Sequence, residues 1–221
     1  MTIVNDMLEI VSATFANDAW MMSEAFQGPA AWVMGALVTL LGGYFFLMLY
    51  KKVPWIERNF ESSIMVSTYL LIGTIIFVEV FRRFVLGVQA PWSTTIPPFL
   101  FLIMTWFGCA YNVKLRTHLA FAEFRTNMPR KLQFACLTLD FVLWVVFSWV
   151  VITTATQVAI NSASNFQILL GTDNVLQWWF LVSVPLSFVL ITARSMENYL
   201  EDIDNLRSGE PLIKQAAIGE G

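Results

Sequence analysis

A chain of 221 residues that is 57% apolar, 15% aromatic and only 13% charged cannot dress a soluble domain in an ordinary polar surface. Thirteen lysines and arginines against sixteen acids give a formal net charge of −3, and no basic domain of the kind that binds nucleic acid is present. The two cysteines, Cys109 and Cys136, lie in or beside different apolar runs, and the one histidine, His118, has no Cys, His or carboxylate cluster around it, so the residues indicate neither disulfide, metal site, haem nor other cofactor.

At the N-terminus, Val4, Leu8, Val11 and Phe15 recur at helical spacing while Asn5, Asp6, Glu9, Ser12 and Asn17 occupy the rest of the wheel, which predicts an amphipathic helix over 1–20. Helices that bind anionic lipid carry lysine and arginine on the polar face; this one carries acids, which favours docking on a protein neighbour over lipid. Residues 1–28 lack a basic n-region and the first apolar run starts late, so no cleavable signal peptide is expected.

Five apolar runs follow, at 29–50, 63–88, 97–113, 132–158 and 175–194. With a rise of about 1.5 Å per residue and a hydrocarbon core of about 30 Å, roughly 20 residues suffice to cross. Four runs reach that length, and 97–113 reaches it with its flanks. In the first run Ala31, Gly35, Thr39 and Gly43 fall every fourth residue, a stripe of small side chains that predicts a close helix contact, within the chain in preference to another subunit. The stretch 51–62 combines Lys51, Lys52 and Arg58 with Pro54, Trp55, Ile56 and Phe60 and reads as a short interfacial helix. A similar arm is expected over 114–131, from Leu119, Phe121, Phe124 and Met128. Beyond Arg194 the last helix is expected to continue through Leu200, Ile203 and Leu206 and to end at Ser208, Gly209 and Pro211.

Basic residues supply the orientation. Apart from Arg82 and Arg83, every lysine and arginine falls in the segments after the first, third and fifth runs, whereas 1–28, 89–96 and 159–174 have none. The positive-inside rule then predicts an outward N-terminus and a cytoplasmic C-terminus, as an odd number of crossings requires. Trp32, Trp92, Trp178 and Trp179 at outer ends and Trp55 at an inner one suit the bilayer interfaces, so membrane lipids are expected neighbours.

Ionisable groups inside the runs are costly and each calls for a reading. Glu79 can meet Arg82 at i+3 and Arg83 at i+4; this reads either as a local pair with the arginines reaching for outer headgroups, or as a polar lock against another helix or a partner subunit. Asp140 reads as a structural hydrogen bond to another helix in preference to a proton or sodium site. His118 reads as a loop or partner contact. No catalytic, phosphate-binding or dinucleotide fingerprint appears, so no enzyme activity is expected.

The order of features from Glu61 onward carries a resemblance. Glu61 opens a membrane run, V-F-R-R-F stands at 80–84, W-S follows at 92–93, and W-F-G-C-A-Y-N-V-K-L-R-T-H-L spans 106–119, including Trp106, Gly108, Asn112 and His118. Pro129 precedes the next run and Pro185 sits in the last. This series resembles the small membrane subunit, the DctQ-type small permease, of the tripartite ATP-independent periplasmic (TRAP) transporters. Where that family often has glutamates after its tryptophan-serine, this chain has Thr94, Thr95 and Ile96. The resemblance implies an all-α polytopic bundle in the bacterial inner membrane, with the family's four transmembrane helices at 61–207. An extra N-terminal helix and interfacial arm occupy 29–60, preceded by a periplasmic segment over 1–28 and followed by a flexible cytoplasmic tail over 208–221. It further implies a large permease subunit and a periplasmic substrate-binding protein as partners, sodium-coupled uptake of an organic acid, and a scaffold role with no cofactor. Together with the polar residues inside the runs, it makes Glu61, Glu79, Arg82, Arg83, Trp92, Trp106, Gly108, Asn112, His118 and Asp140 candidates for subunit-interface or structural polar contacts. The alternative reading is the membrane anchor of a respiratory or redox enzyme, which would need haem, quinone or flavin.

Overall fold

The computed structural model describes residues 3–116, 125 and 127–212. Its helices are α1 (Ile3–Ala16), α2 (Ala19–Ala25), α3 (Pro29–Leu37), α4 (Gly43–Lys52), α5 (Pro54–Phe81), α6 (Ile96–Leu115), α7 (Arg130–Ser164), α8 (Trp178–Leu181) and α9 (Ser183–Ser208). Wider π turns join α3 to α4 at Val38–Gly42 and extend α5 over Arg82–Leu86, and a 3₁₀ turn at Pro91–Thr94 leads into α6. Five continuous stretches are long and apolar enough to cross a bilayer: Pro29–Lys52, Pro54–Leu86, Pro91–Leu115, Arg130–Ser164 and Trp178–Ser208. Among the described residues the one β feature is an antiparallel bridge between Ile168 and Leu176. The chain is an all-α polytopic bundle.

Local chemistry sets the breaks. Asn17 takes a left-handed conformation and Asp18 caps the next helix, its Oδ1 accepting the Trp20 and Met21 N–H groups at 3.0 and 3.1 Å. The helix expected over 1–20 is therefore two helices meeting at Asn17 and Asp18. The stretch 51–62 is not a separate interfacial helix. Val53 leaves helical geometry before Pro54, whose fixed φ suits the first turn, and α5 then runs unbroken through Phe81. The boundary between 60 and 61 thus falls inside α5. Of the arm expected over 114–131, residues 117–124 and 126 lie outside the described residues, and His118 with them.

Helix α9 is the axis of the bundle. Ser187 through Ser195 are all buried, which is the mark of a helix enclosed on every side. α4, α6 and α7 surround it, and α5 packs on the far side of α6, burying only Glu61. Phe188 lies at the centre, with the Trp106 ring 4.8 Å and the Phe147 ring 5.6 Å away. The stripe of the first span turns inward. Ala31, Gly35, Thr39 and Gly43 are buried; a Cβ on Gly35 would stand 2.0 Å from Thr153 Oγ1 of α7, and one on Gly43 would stand 2.8 Å from Thr192 Cγ2 of α9. Small residues here let backbones approach where apolar side chains already contact lipid equally well and the packing itself must hold the helices.

At the end remote from the basic residues, the connection between α7 and α8 folds back on itself through the Leu169 N–H to Val175 O bond at 2.9 Å. It seats Gly171 against the turn before α6. Gly171 has φ +78°, and a Cβ there would lie 2.6 Å from the Pro91 carbonyl carbon. Gly171→Ala should therefore combine left-handed strain with a backbone clash and lower stability by about 1–3 kcal/mol, read as a reduced thermal midpoint in detergent. An unchanged midpoint would mean that this connection does not rest on Pro91.

Candidate functional site

The densest polar structure is a clasp at the basic end of the bundle, where α4 and α5 converge on Arg194 of α9. Arg194 and Glu61 are 0% exposed and Tyr50 is 2% exposed. Arg194 Nε donates to Glu61 Oε1 at 2.8 Å and Nη2 to Glu61 Oε2 at 3.0 Å, a two-pronged pair. The same Nη2 donates to the Glu57 carbonyl at 2.5 Å, and Nη1 donates to Glu197 Oε2 at 2.8 Å. The Tyr50 hydroxyl donates to Glu61 Oε1 at 2.7 Å while its ring lies 3.8 Å beneath the guanidinium carbon. Every nitrogen of the guanidinium has an acceptor, which is what a charge removed from water requires.

The clasp extends outward through neighbouring charges. Lys114 Nζ reaches the Glu57 carbonyl at 2.6 Å and its carboxylate at 2.8 Å, tying α6 to α5. Arg116 closes α6 in a left-handed conformation and sends its side chain to α9, donating to Asp202 Oδ1 at 2.6 Å and to the Asn198 carbonyl at 2.7 Å. Asn198 Nδ2 returns a bond to the Val113 carbonyl at 2.8 Å, a second donor beside the Arg116 N–H that closes α6. Arg130, at the start of α7, donates to the Asn205, Leu206 and Gly209 carbonyls and so caps the end of α9 with positive charge. The basic residues that signal orientation in the sequence also fasten α4, α5, α6 and α7 to one helix.

The sequence candidates distribute unevenly over this framework. Glu61 is the centre of the clasp. Trp106 packs on the core, and Gly108 and Asn112 line a groove of about 490 Å³ between α5 and α6 with Met65, Tyr69 and Cys109. A Cβ on Gly108 would lie 3.2 Å from Met65 Sδ. Asp140 bonds Arg125 through both oxygens, at 2.5 and 3.1 Å. Arg125 is itself in helical geometry, between α6 and α7 in the chain. The expected pairing of Glu79 with Arg82 or Arg83 is absent. Glu79 Oε1 accepts the Ala90 N–H at 2.9 Å, since the π turn at Arg82–Leu86 and left-handed Gly87 bring the chain back over the carboxylate. Among the described residues neither arginine has an ion-pair partner; Arg82 is half-buried and Arg83 exposed. Trp92 lies half-buried in the 3₁₀ turn, beside buried Ser93.

Sequence reasoning placed Glu61 at the mouth of a run but missed Arg194, Tyr50, Glu57 and Lys114 as its partners. The available signal was an acid and a base at the same end of two predicted spans. Arg194, Glu61 and Tyr50 are closed off from water while Glu57 and Glu197 at the margin are partly exposed, an arrangement suited to bracing. Truncating one partner leaves the other buried and unmatched. Glu61→Gln or Arg194→Met alone should cost about 3–5 kcal/mol, whereas Glu61→Leu combined with Arg194→Met should cost less than either. Unfolding in detergent reads both; singles equal to wild type would remove the clasp's structural role.

Comparison with known proteins agrees with this geometry. The family model for tripartite ATP-independent periplasmic transporters, DctQ component, matches residues 72–205. The sialic acid TRAP transporter small permease protein SiaQ of Vibrio cholerae serotype O1 is 24% identical over 171 residues, covering 76% of this chain and 97% of that protein. The matched region takes in the end of α5, all of α6, α7 and α8, and α9 through Asn205; of the clasp it includes Arg194, Glu197 and Lys114, whereas Tyr50, Glu57 and Glu61 precede it. An all-α bundle of five spans braced on α9, with the family match running over most of it, makes this chain a member of the DctQ component family, the small permease subunits of TRAP transporters.

Proposed function

We propose that the chain is the static brace of a sodium-coupled, binding-protein-dependent TRAP transporter for organic acids, giving a large elevator-type permease subunit a wide and rigid footing in the inner membrane. The clasp and its neighbouring charges carry this reading: α4, α5, α6 and α7 tied to α9, directly or through one another, by one buried ion pair and several partly exposed polar bonds form a block that resists the tilting forced on it when a neighbouring domain moves through the bilayer. The name of the Vibrio relative specifies sialic acid, a carboxylate; selectivity in this reading belongs to the large subunit and the binding protein.

The proposed docking edge for the large subunit is α5. It leaves Phe77, Phe81 and Phe84 exposed along its outer half, and Arg82 and Arg83 stand among them without an acid partner among the described residues. Guanidinium groups on an apolar face match a partner that presents carboxylates. The charge pattern supports a periplasmic N-terminus and a cytoplasmic C-terminus, which sets Arg82, Arg83 and Trp92 at the periplasmic side, where the substrate-binding protein would arrive.

Arg82→Ala and Arg83→Ala should each lower recovery of the large subunit on affinity purification and slow uptake in proteoliposomes, with solute capture by the binding protein unchanged. Wild-type recovery and uptake in both would remove the docking edge. His118→Gln should retain substantial uptake, because His118 has no assigned proton chemistry; complete loss with intact assembly would overturn that assignment. If the chain alone in liposomes concentrated an organic acid, the brace reading would fall.

A further inference from the structure

The N-terminal helices lie outside the region that the family model matches, and their surface is divided in a way that the sequence pattern did not disclose. On α1 the residues buried against the rest of the chain are Ile10 and Ala13. Val4, Leu8, Val11 and Phe15, the side chains expected to form a docking face, are all exposed, Leu8 at 62% and Phe15 at 88%. At about 100° per residue these four fall within an arc of about 60°, roughly opposite Ile10 and Ala13. Asn5, Glu9, Ser12 and Ala16 form a third, polar strip along one side between them, also exposed. α1 contacts α2 and α3, and α3 begins at Pro29, the first residue of a membrane span. The helix therefore sits beside the entry of that span, with its own chain on one flank and uncovered apolar groups on the other.

We propose that α1 is a membrane-surface foot, whose Val4, Leu8, Val11 and Phe15 face inserts among electrically neutral lipids at the end of the bundle remote from the clasp. Three observations select lipid. The arc holds no charged group and no unpaired hydrogen-bonding group, so its cover needs no directional complement. It adjoins a span whose Trp32, Val33 and Leu37 are exposed to the same bilayer, and Trp20, 67% exposed at the start of α2, has the amphipathic ring suited to headgroup depth. Charge selects neutral headgroups: residues 1–50 contain Asp6, Glu9, Asp18 and Glu24 and no lysine or arginine. Glu9 lies on the polar strip, roughly 130° from the centre of the arc, where it faces water and repels an anionic surface. Such a foot fixes the depth and tilt of the first span.

The test attaches an environment-sensitive fluorophore to Phe15→Cys or, separately, Ala16→Cys, neighbours that point to different faces, in the full chain with Cys109→Ser and Cys136→Ser, in phosphatidylcholine nanodiscs. Leu8→Cys serves as a second reporter of the apolar arc. Position 15 should be quenched by a lipid carrying a nitroxide near its glycerol backbone, and position 16 several-fold more strongly by aqueous iodide. Replacing phosphatidylcholine with phosphatidylglycerol should weaken the lipid quenching at position 15. Equal iodide access at positions 8, 15 and 16 would overturn the proposal, as would protection of position 15 that arises only when the large permease is reconstituted with the chain. Stronger lipid quenching in phosphatidylglycerol would overturn the selection of neutral lipid.

Discussion

The pair between Glu61 and Arg194 governs the rest of the structure. An arginine wholly removed from water is tolerable only when each of its nitrogens meets an acceptor, and satisfying Arg194 requires groups from α5 and from its own helix, with the Tyr50 ring of α4 beneath it. The bond set fixes three helices in position and angle. Directional bonds of this kind give a membrane bundle something that apolar contact does not, because a leucine facing another helix is little better off than one facing lipid.

The two ends of the bundle are held by different means. At the basic end, side chains of Lys114, Arg116 and Arg130 cross between helices, and Arg130 caps the carbonyls at the end of α9. At the other end Gly171 fits against the Pro91 backbone, the Ala90 N–H donates to the Glu79 carboxylate and the Ser23 hydroxyl donates to Asn161 Oδ1. Between them, small residues on the first span allow close approach to Thr153 and Thr192. A block pinned at both ends suits the proposed role beside a moving domain, since bending it would break several charged bonds at once.

The exposed surface has its own logic. α5 buries one residue, while α9 is enclosed along much of its length, so the bundle is lopsided, with a packed axis and an open edge. On that edge the Ala90 N–H engages the Glu79 carboxylate, and Arg82 and Arg83, one turn further along, have no ion-pair partner among the described residues.

Much of this was legible in the residues: five apolar runs of spanning length, the basic segments between them, the small-residue stripe, and the end of the last helix at Gly209, which takes the left-handed conformation of a helix stop. These are properties of composition and period within one segment, where neighbours in sequence are neighbours in space. The Arg194–Glu61 bond joins residues 133 apart, and no local pattern pairs them. The same holds for Asp140 with Arg125, for Glu79 with the returning backbone at Ala90, and for which side of α1 turns inward. On α1 the wheel identified apolar residues, but only packing against α2 and α3 chose Ile10 and Ala13 over Val4, Leu8, Val11 and Phe15. Sequence alone determined that the chain crosses a bilayer and where; tertiary structure decided which polar groups meet, because partner choice depends on how helices far apart in the chain are brought side by side.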